Sequence, residues 1–216
     1  IAIHGAKTNG SFFKNVVIEN ASGKTINGIN YFASLSVHST KNINFDNILI
    51  KNNSKFDDMM HIIYSDNIQI LNSNFLNAYA DSIDIDISNN ILLKNINITN
   101  SGNDGVDLME SKAQLEEVNI SYSGDKGVSV GENSIALIND SIIKSNNFGV
   151  TSKDLSKVII KNSLLENNKI QLSVYKKNWR YGGSGVINME NSTLTALENY
   201  IKSDEKGEIS ISSTNI

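Results

Sequence analysis

The 216-residue chain has no cysteine, no proline, a single arginine and a single tryptophan. Without cysteine there is no disulfide scaffold and no thiolate metal site. Without proline there is no proline-rich linker to divide the chain. Basic residues are outnumbered, 19 against 23 acidic, and the clustered positive face that a nucleic acid requires is missing, so no nucleic-acid partner is expected. No apolar run approaches the roughly 18–20 residues of a membrane span, so no membrane insertion is expected either. The length suits one domain over 1–216. Beginning at Ile1 without Met, the chain is expected to be a processed or excised piece, with further domains of the same chain among its partners. What is abundant is asparagine and isoleucine, 33 and 31 residues. Both are mediocre helix formers and Asn favours turns, which argues against a helical protein.

Repeats give the fold. Asn20, Asn47, Asn72, Asn95, Asn139, Asn162 and Asn191 form one column, with Glu117 filling the gap, at spacings of 22–29 residues. Two positions before each stands an apolar residue: Ile18, Phe45, Ile70, Leu93, Leu115, Leu137, Ile160 and Met189. Four before, the residue is again apolar, so the period within each block is two and the blocks are strands with one face inward. A second alternating strand follows in each repeat, from Gly28-Ile29-Asn30-Tyr31 and Met59-Met60-His61-Ile62 to Gln171-Leu172-Ser173-Val174. The Asn column marks a corner and is expected to be buried, each amide bonding to the next. Such repeats bury their apolar face only by stacking, at ~4.8 Å per coil.

Over about residues 14–200 this pattern resembles the right-handed parallel β-helix (pectate-lyase-like) superfamily, which includes pectate lyases, polygalacturonases and alginate-modifying enzymes. The expectation is an all-β, single-stranded right-handed parallel β-helix (solenoid) of about eight coils with an Asn ladder. Segments 1–13 and 201–216 are incomplete coils or caps, and 175–183 is an inserted loop.

On the outward side of the second strand the column reads Asn30, His61, Asp84, Asp107, Ser129, Thr151, Ser173. Three before come Asp58, Asp81, Asp104 and Lys126, and Asp86 lies two after Asp84. Carboxylates stacked at ~4.8 Å repel, so a cation, a shared proton or a neighbouring lysine must offset them. Hard oxygen ligands suit Ca²⁺, with Asp81, Asp84, Asp86, Asp104 and Asp107 as candidate ligands. Lys126, His61, Asp84 and Asp107 are the candidate catalytic residues. In the family's uronate lyases a cation neutralises the C5 carboxylate and a basic side chain takes the C5 proton, which the resemblance would assign to Lys126. In its hydrolases paired Asp residues do the work, here Asp84, Asp104 and Asp107. Trp179, Arg180, Tyr181 and Lys177 in the inserted loop are candidate substrate contacts, three to five coils from the acidic patch. The function expected is an exported domain that binds or modifies an acidic polysaccharide outside the cell or at its surface. The alternative is a non-enzymatic adhesin or scaffold module of a larger chain.

Overall fold

Period-two alternation of Ile, Val and Leu with polar residues produces strands that bury one face, and here the chain winds them into a parallel β-helix. A computed structural model describes residues 1–195 and 200–215. The last residue of the expected 201–216 terminal segment lies outside the described residues. Each coil adds one short strand to a nine-stranded front sheet and one or two strands to a twelve-stranded back sheet. The front sheet stacks, in order, Ala2–His4, Leu35–His38, Met60–Ile63, Ile83–Asp86, Val106–Met109, Lys126–Gly131, Phe148–Lys153, Ile170–Tyr175 and Ile201–Ser203. The back sheet begins with Phe12–Glu19, Lys41–Lys51, Asp66–Ala78 and Asn89–Ser101, then splits into shorter pieces in later coils. Both terminal segments thus carry strands that pair onto the stack.

The core is a set of aliphatic columns. Ile62, Ile85, Leu108 and Val130 follow one another inside the front sheet, with Ser152 interrupting the column before Val174, and Phe45, Ile70, Leu93, Leu115, Ile138 and Ile160 follow one another inside the back sheet, all essentially inaccessible to water. Each such side chain contributes about 1.5–3 kcal/mol by burial. No repeat has this core alone, so coil register and stability are one property.

The structure corrects four details of the sequence reading. Asn15, not Asn20, stands in register with Asn47; Asn20 instead leads a second column through Asn52, Asn77 and Asn100. In the coil after Glu117 the corner residue is Asp140, because Leu115 pairs with Ile138 and not Leu137. The Asn columns are also solvent-facing, not buried. They still form ladders, with Asn47 donating to Asn15 at 2.7 Å, Asn95 to Asn72 at 2.8 Å and Asn100 to Asn77 at 2.9 Å. Asn serves these corners because they need positive φ, 51–55° at Asn47, Asn72 and Asn95, which it tolerates. Finally, Gly28–Tyr31 is no coil strand. Asn27 and Gly28, at φ 51° and 77°, make a tight turn that folds Ile29–Tyr31 back antiparallel on Lys24–Ile26. The coil strand there is Leu35–His38.

The buried ladder is serine. Backbone N–H groups of Ser65, Ser88, Ser111 and Ser134 each donate to the hydroxyl of the serine one coil on, at 2.9–3.0 Å. These hydroxyls in turn donate to carbonyls two residues back, as Ser88 does to Asp86 at 2.7 Å and Ser111 to Met109 at 2.8 Å. Each follows a residue at positive φ (Tyr64, Ile87, Glu110, Asn133), so the corner that breaks the sheet ladder satisfies its orphaned amides internally.

Candidate functional site on the front sheet

Strand pairing sets Ser36, His61, Asp84, Asp107, Ser129, Thr151 and Ser173 side by side on the outer face of the front sheet. Ser36 takes the place expected for Asn30. Winding brings the acids together, as the repeat predicted. A parallel column two residues on contains His38, Ile63, Asp86, Met109 and Gly131. These positions face outward yet several are closed to water. The hydroxyls of Ser36, Ser129, Thr151 and Ser173 are buried and have no hydrogen-bond partner among the described residues. Small side chains between taller neighbours thus make a polar floor.

The tightest group is His61, Asp84 and Asp86. Nε2 of His61 lies 3.2 Å from Asp86 Oδ2 and 3.7 Å from Asp84 Oδ2. One donor atom from each residue falls within 4.8 Å of the others. Burial, reinforced by the charges of Asp86, Asp58 and Asp107, drives the Asp84 carboxyl well above the usual carboxylate range. His61 packs edge-on against His38 at 5.2 Å between centroids, and Tyr31 stacks on His38 at 4.9 Å while its hydroxyl meets His4 Nδ1 at 2.7 Å. All three histidines of the chain therefore line up beside the acids. Burial, then the neighbouring His61 and His4, lowers His38 to about 4, so it is neutral at ordinary pH.

Asp58, Asp81, Asp104 and Lys126 form a separate stack at the corner preceding the front strands. Asp81 and Asp104 cap the backbone: Asp104 N–H donates to Asp81 at 2.7 Å, and Lys126 N–H donates to Asp104 at 2.8 Å. Among the described residues neither joins the group within ligand distance of His61. Burial lifts Asp81 to about 6 against the bonds it accepts, and lifts Asp104 to about 7 against the pull of Lys126. Asp58, almost fully buried and with Oδ1 unpartnered, is pushed to about 9 by burial and then by Asp81, Asp57 and Asp86. The Lys126 ammonium lies 3.6 Å from Asp104 and is bonded to Asp125. Burial opposes its charge, but those two carboxylates outweigh it and raise its pKa above the ordinary lysine value. Lys126 is held as a cation.

Beyond Asp107 the side chain of Lys153 crosses the intervening strand over Gly131. Its Nζ ends 3.8 Å from Asp107 Oδ1. The inserted loop bends back to the same neighbourhood. Asp154 accepts from the N–H groups of Lys177 and Asn178 at 2.7 Å, a 3₁₀ turn covers Trp179–Tyr181, and the Tyr181 hydroxyl donates to Glu110, three residues from Asp107 in sequence. The expected gap of three to five coils is bridged by the loop's own reach. Trp179 is 79% exposed, with the Arg180 guanidinium 5.9 Å from its ring centre. Lys153, Glu110, His38 and Tyr31 escaped the sequence reading. The signal for Lys153 and His38 was the +2 position of each outward strand.

Residues 33–201 match the right handed beta helix region family, and the chain belongs to it. Among solved structures it is similar to Jun a 1, the major allergen from cedar pollen, with 14% identity, TM-score 0.57, and 93% of this chain and 65% of that one covered. A rhamnogalacturonan lyase aligns at 10% identity and TM-score 0.55, covering 82% of this chain and 63% of that one. PfbA, a surface protein and adhesin of Streptococcus pneumoniae, aligns at 14% and 0.56, covering 98% of this chain and 68% of that one. The chain thus spans just under two thirds of the first two. No curated protein matches its sequence.

Proposed function

We propose that the front sheet binds and modifies an acidic polysaccharide outside the cell or at its surface, with a divalent cation taken up at the acidic patch. The observation that carries this reading is the convergence of His61, Asp84 and Asp86 within ligand distance, beside the buried Oδ1 atoms of Asp58 and Asp107, which accept no hydrogen bond from any described residue. The likeness to a rhamnogalacturonan lyase supports the substrate class. Asp84 and Asp86 are the carboxylates fitted to hold the ion, with His61 beside them, and the buried oxygens of Asp58 and Asp107 lie in the same field. Ca²⁺ remains the proposed ion; Asp81 and Asp104, bound to backbone, support the site from behind. When bound, the cation would supply neutralisation of a sugar carboxylate.

The protein's own groups divide the remaining work. Lys126, held charged, serves as a fixed cation, so the proton-accepting role fits His61 better. Asp84 and Asp107, on adjacent strands, offer the pair of carboxyls that a hydrolase would use instead. Trp179 presents an aromatic face for a sugar ring. Calorimetric titration of Ca²⁺ into wild type, Asp84→Ala and Asp107→Ala tests the cation, and incubation with polyuronates tests the chemistry. Uptake abolished by Asp84→Ala with turnover of a uronate is expected. No uptake and no turnover rejects the lyase reading. The second reading, a non-catalytic adhesin module, is supported by the likeness to PfbA and predicts glycan-array binding without turnover.

A further inference from the structure

The acidic patch lies toward one end of the front face, and a cavity of about 360 Å³ opens toward the other. Phe148, Ser173, Tyr175, Lys202 and Asp204 line it. Ser173 and Lys202 continue the outward column of His61, Asp84 and Asp107, so cavity and patch share one surface. Phe148 stems from the column of Lys126, and Tyr175 from the column of Lys153, so the two aromatics rise on opposite sides of the strand row. Both are half-buried, and Lys202 is exposed. Asp204 is committed elsewhere: its Oδ2 accepts from the Lys176 N–H at 2.8 Å and its Oδ1 from the Lys206 N–H at 3.1 Å. Of the two charged groups, Lys202 is therefore the one with donors to offer a ligand.

We infer that this cavity is a second subsite for an acidic sugar residue, with Phe148 and Tyr175 against the ring and Lys202 on its carboxylate. Two aromatic walls and one ammonium suit a ligand with an apolar ring face and a single anionic group. A small inorganic anion would leave the aromatic walls unused, and a neutral sugar would leave the lysine unused. The inference rests on the polysaccharide reading above and specifies that the ligand is a chain. From Asp84 the column runs through Asp107, Ser129, Thr151 and Ser173 to Lys202, a distance of ~24 Å at the ordinary strand spacing. An oligomer long enough to reach both sites makes the second contact intramolecularly and gains affinity that a short one cannot. The front face thereby selects for length as well as for charge.

The test is calorimetric binding, with Ca²⁺ present, of oligogalacturonates graded from the disaccharide to chains longer than this gap. Wild type, Lys202→Met and Tyr175→Leu are compared, and oligomannuronates repeat the series. Wild type should bind long chains more tightly than the disaccharide, and each variant should lose about 5- to 20-fold on the long chains. Ca²⁺ affinity and thermal unfolding of Lys202→Met should stay at wild-type values, because the side chain is exposed and remote from Asp84. Affinity that does not rise with length in wild type overturns the inference. So does a rise that survives Lys202→Met, which would assign the added contact to another part of the face. Either result leaves the glycan reading intact. If wild type binds no oligomer of either series, the polysaccharide reading itself fails and takes the inference with it.

Discussion

The buried Asp58 carboxyl makes a quantitative prediction about stability. Burial and the neighbouring acids hold its folded-state pKa at about 9, against 3.8 for an ordinary aspartate. Between those values the folded chain keeps a proton that the unfolded chain has released, so stability is greatest on the acid side and falls as pH rises toward about 9. One retained proton corresponds to about 1.4 kcal/mol per pH unit. From about pH 5 to about pH 8, Asp58 alone should lower the unfolding free energy by ~4 kcal/mol. Asp58→Asn copies the protonated form and removes the dependence. Urea unfolding of both proteins in a chelator, followed by circular dichroism, should therefore show the variant's advantage widening by ~4 kcal/mol over that range. Wild type should keep some residual slope from Asp84. Parallel pH profiles for the two proteins would refute the reasoning, since they would mean that Asp58 is ionised and compensated in the folded state.

Other perturbations separate the forces in the coil. Ser111→Ala leaves the Ser88 N–H without its 3.0 Å acceptor and should cost about 1–3 kcal/mol in thermal or urea unfolding. Leu108→Ala empties a fully buried site in the front column and should cost about 2–5 kcal/mol by the same measurement. Asn95→Val forces a β-branched residue to φ 54° and should destabilise by about 1–2 kcal/mol, while Asn95→Gly loses only the exposed ladder bond and should cost less. Tyr181→Phe releases the inserted loop from Glu110, so limited proteolysis should cut near Trp179 faster while global stability shifts by less than about 0.5 kcal/mol.

The inward columns were legible because burial on a pleated strand enforces a period that survives variation in the residues themselves. The same logic brought His61, Asp84 and Asp107 together from stretches 23 residues apart. Corner register was harder, since Asn139 and Asp140 are both good turn residues and only the pairing of Leu115 with Ile138 separates them. The serine ladder was hidden by the frequency of serine, although a second one at the Asn corner runs from Ser141 through Ser163 to Ser192, the last two directly after an Asn of the corner column. Asn27-Gly28 carried a hairpin signal that the search for coil strands overrode. Nothing in the sequence tells how far a long side chain reaches. Lys153 to Asp107 and Tyr181 to Glu110 are contacts across two and three coils, made by side-chain length and loop path, and neither has a periodic trace.

Because each turn of the winding writes one character onto the front face, the face behaves as a tape that can be spliced. Excising a whole turn between equivalent corners, such as 66–88, would leave the hydrophobic stacks in register and delete Asp84 together with Asp81 and Asp86. Duplicating it would print those letters twice. Changes of ligand chemistry are therefore accessible to this architecture by unequal slippage of its repeats, without any intermediate having to relearn how to fold.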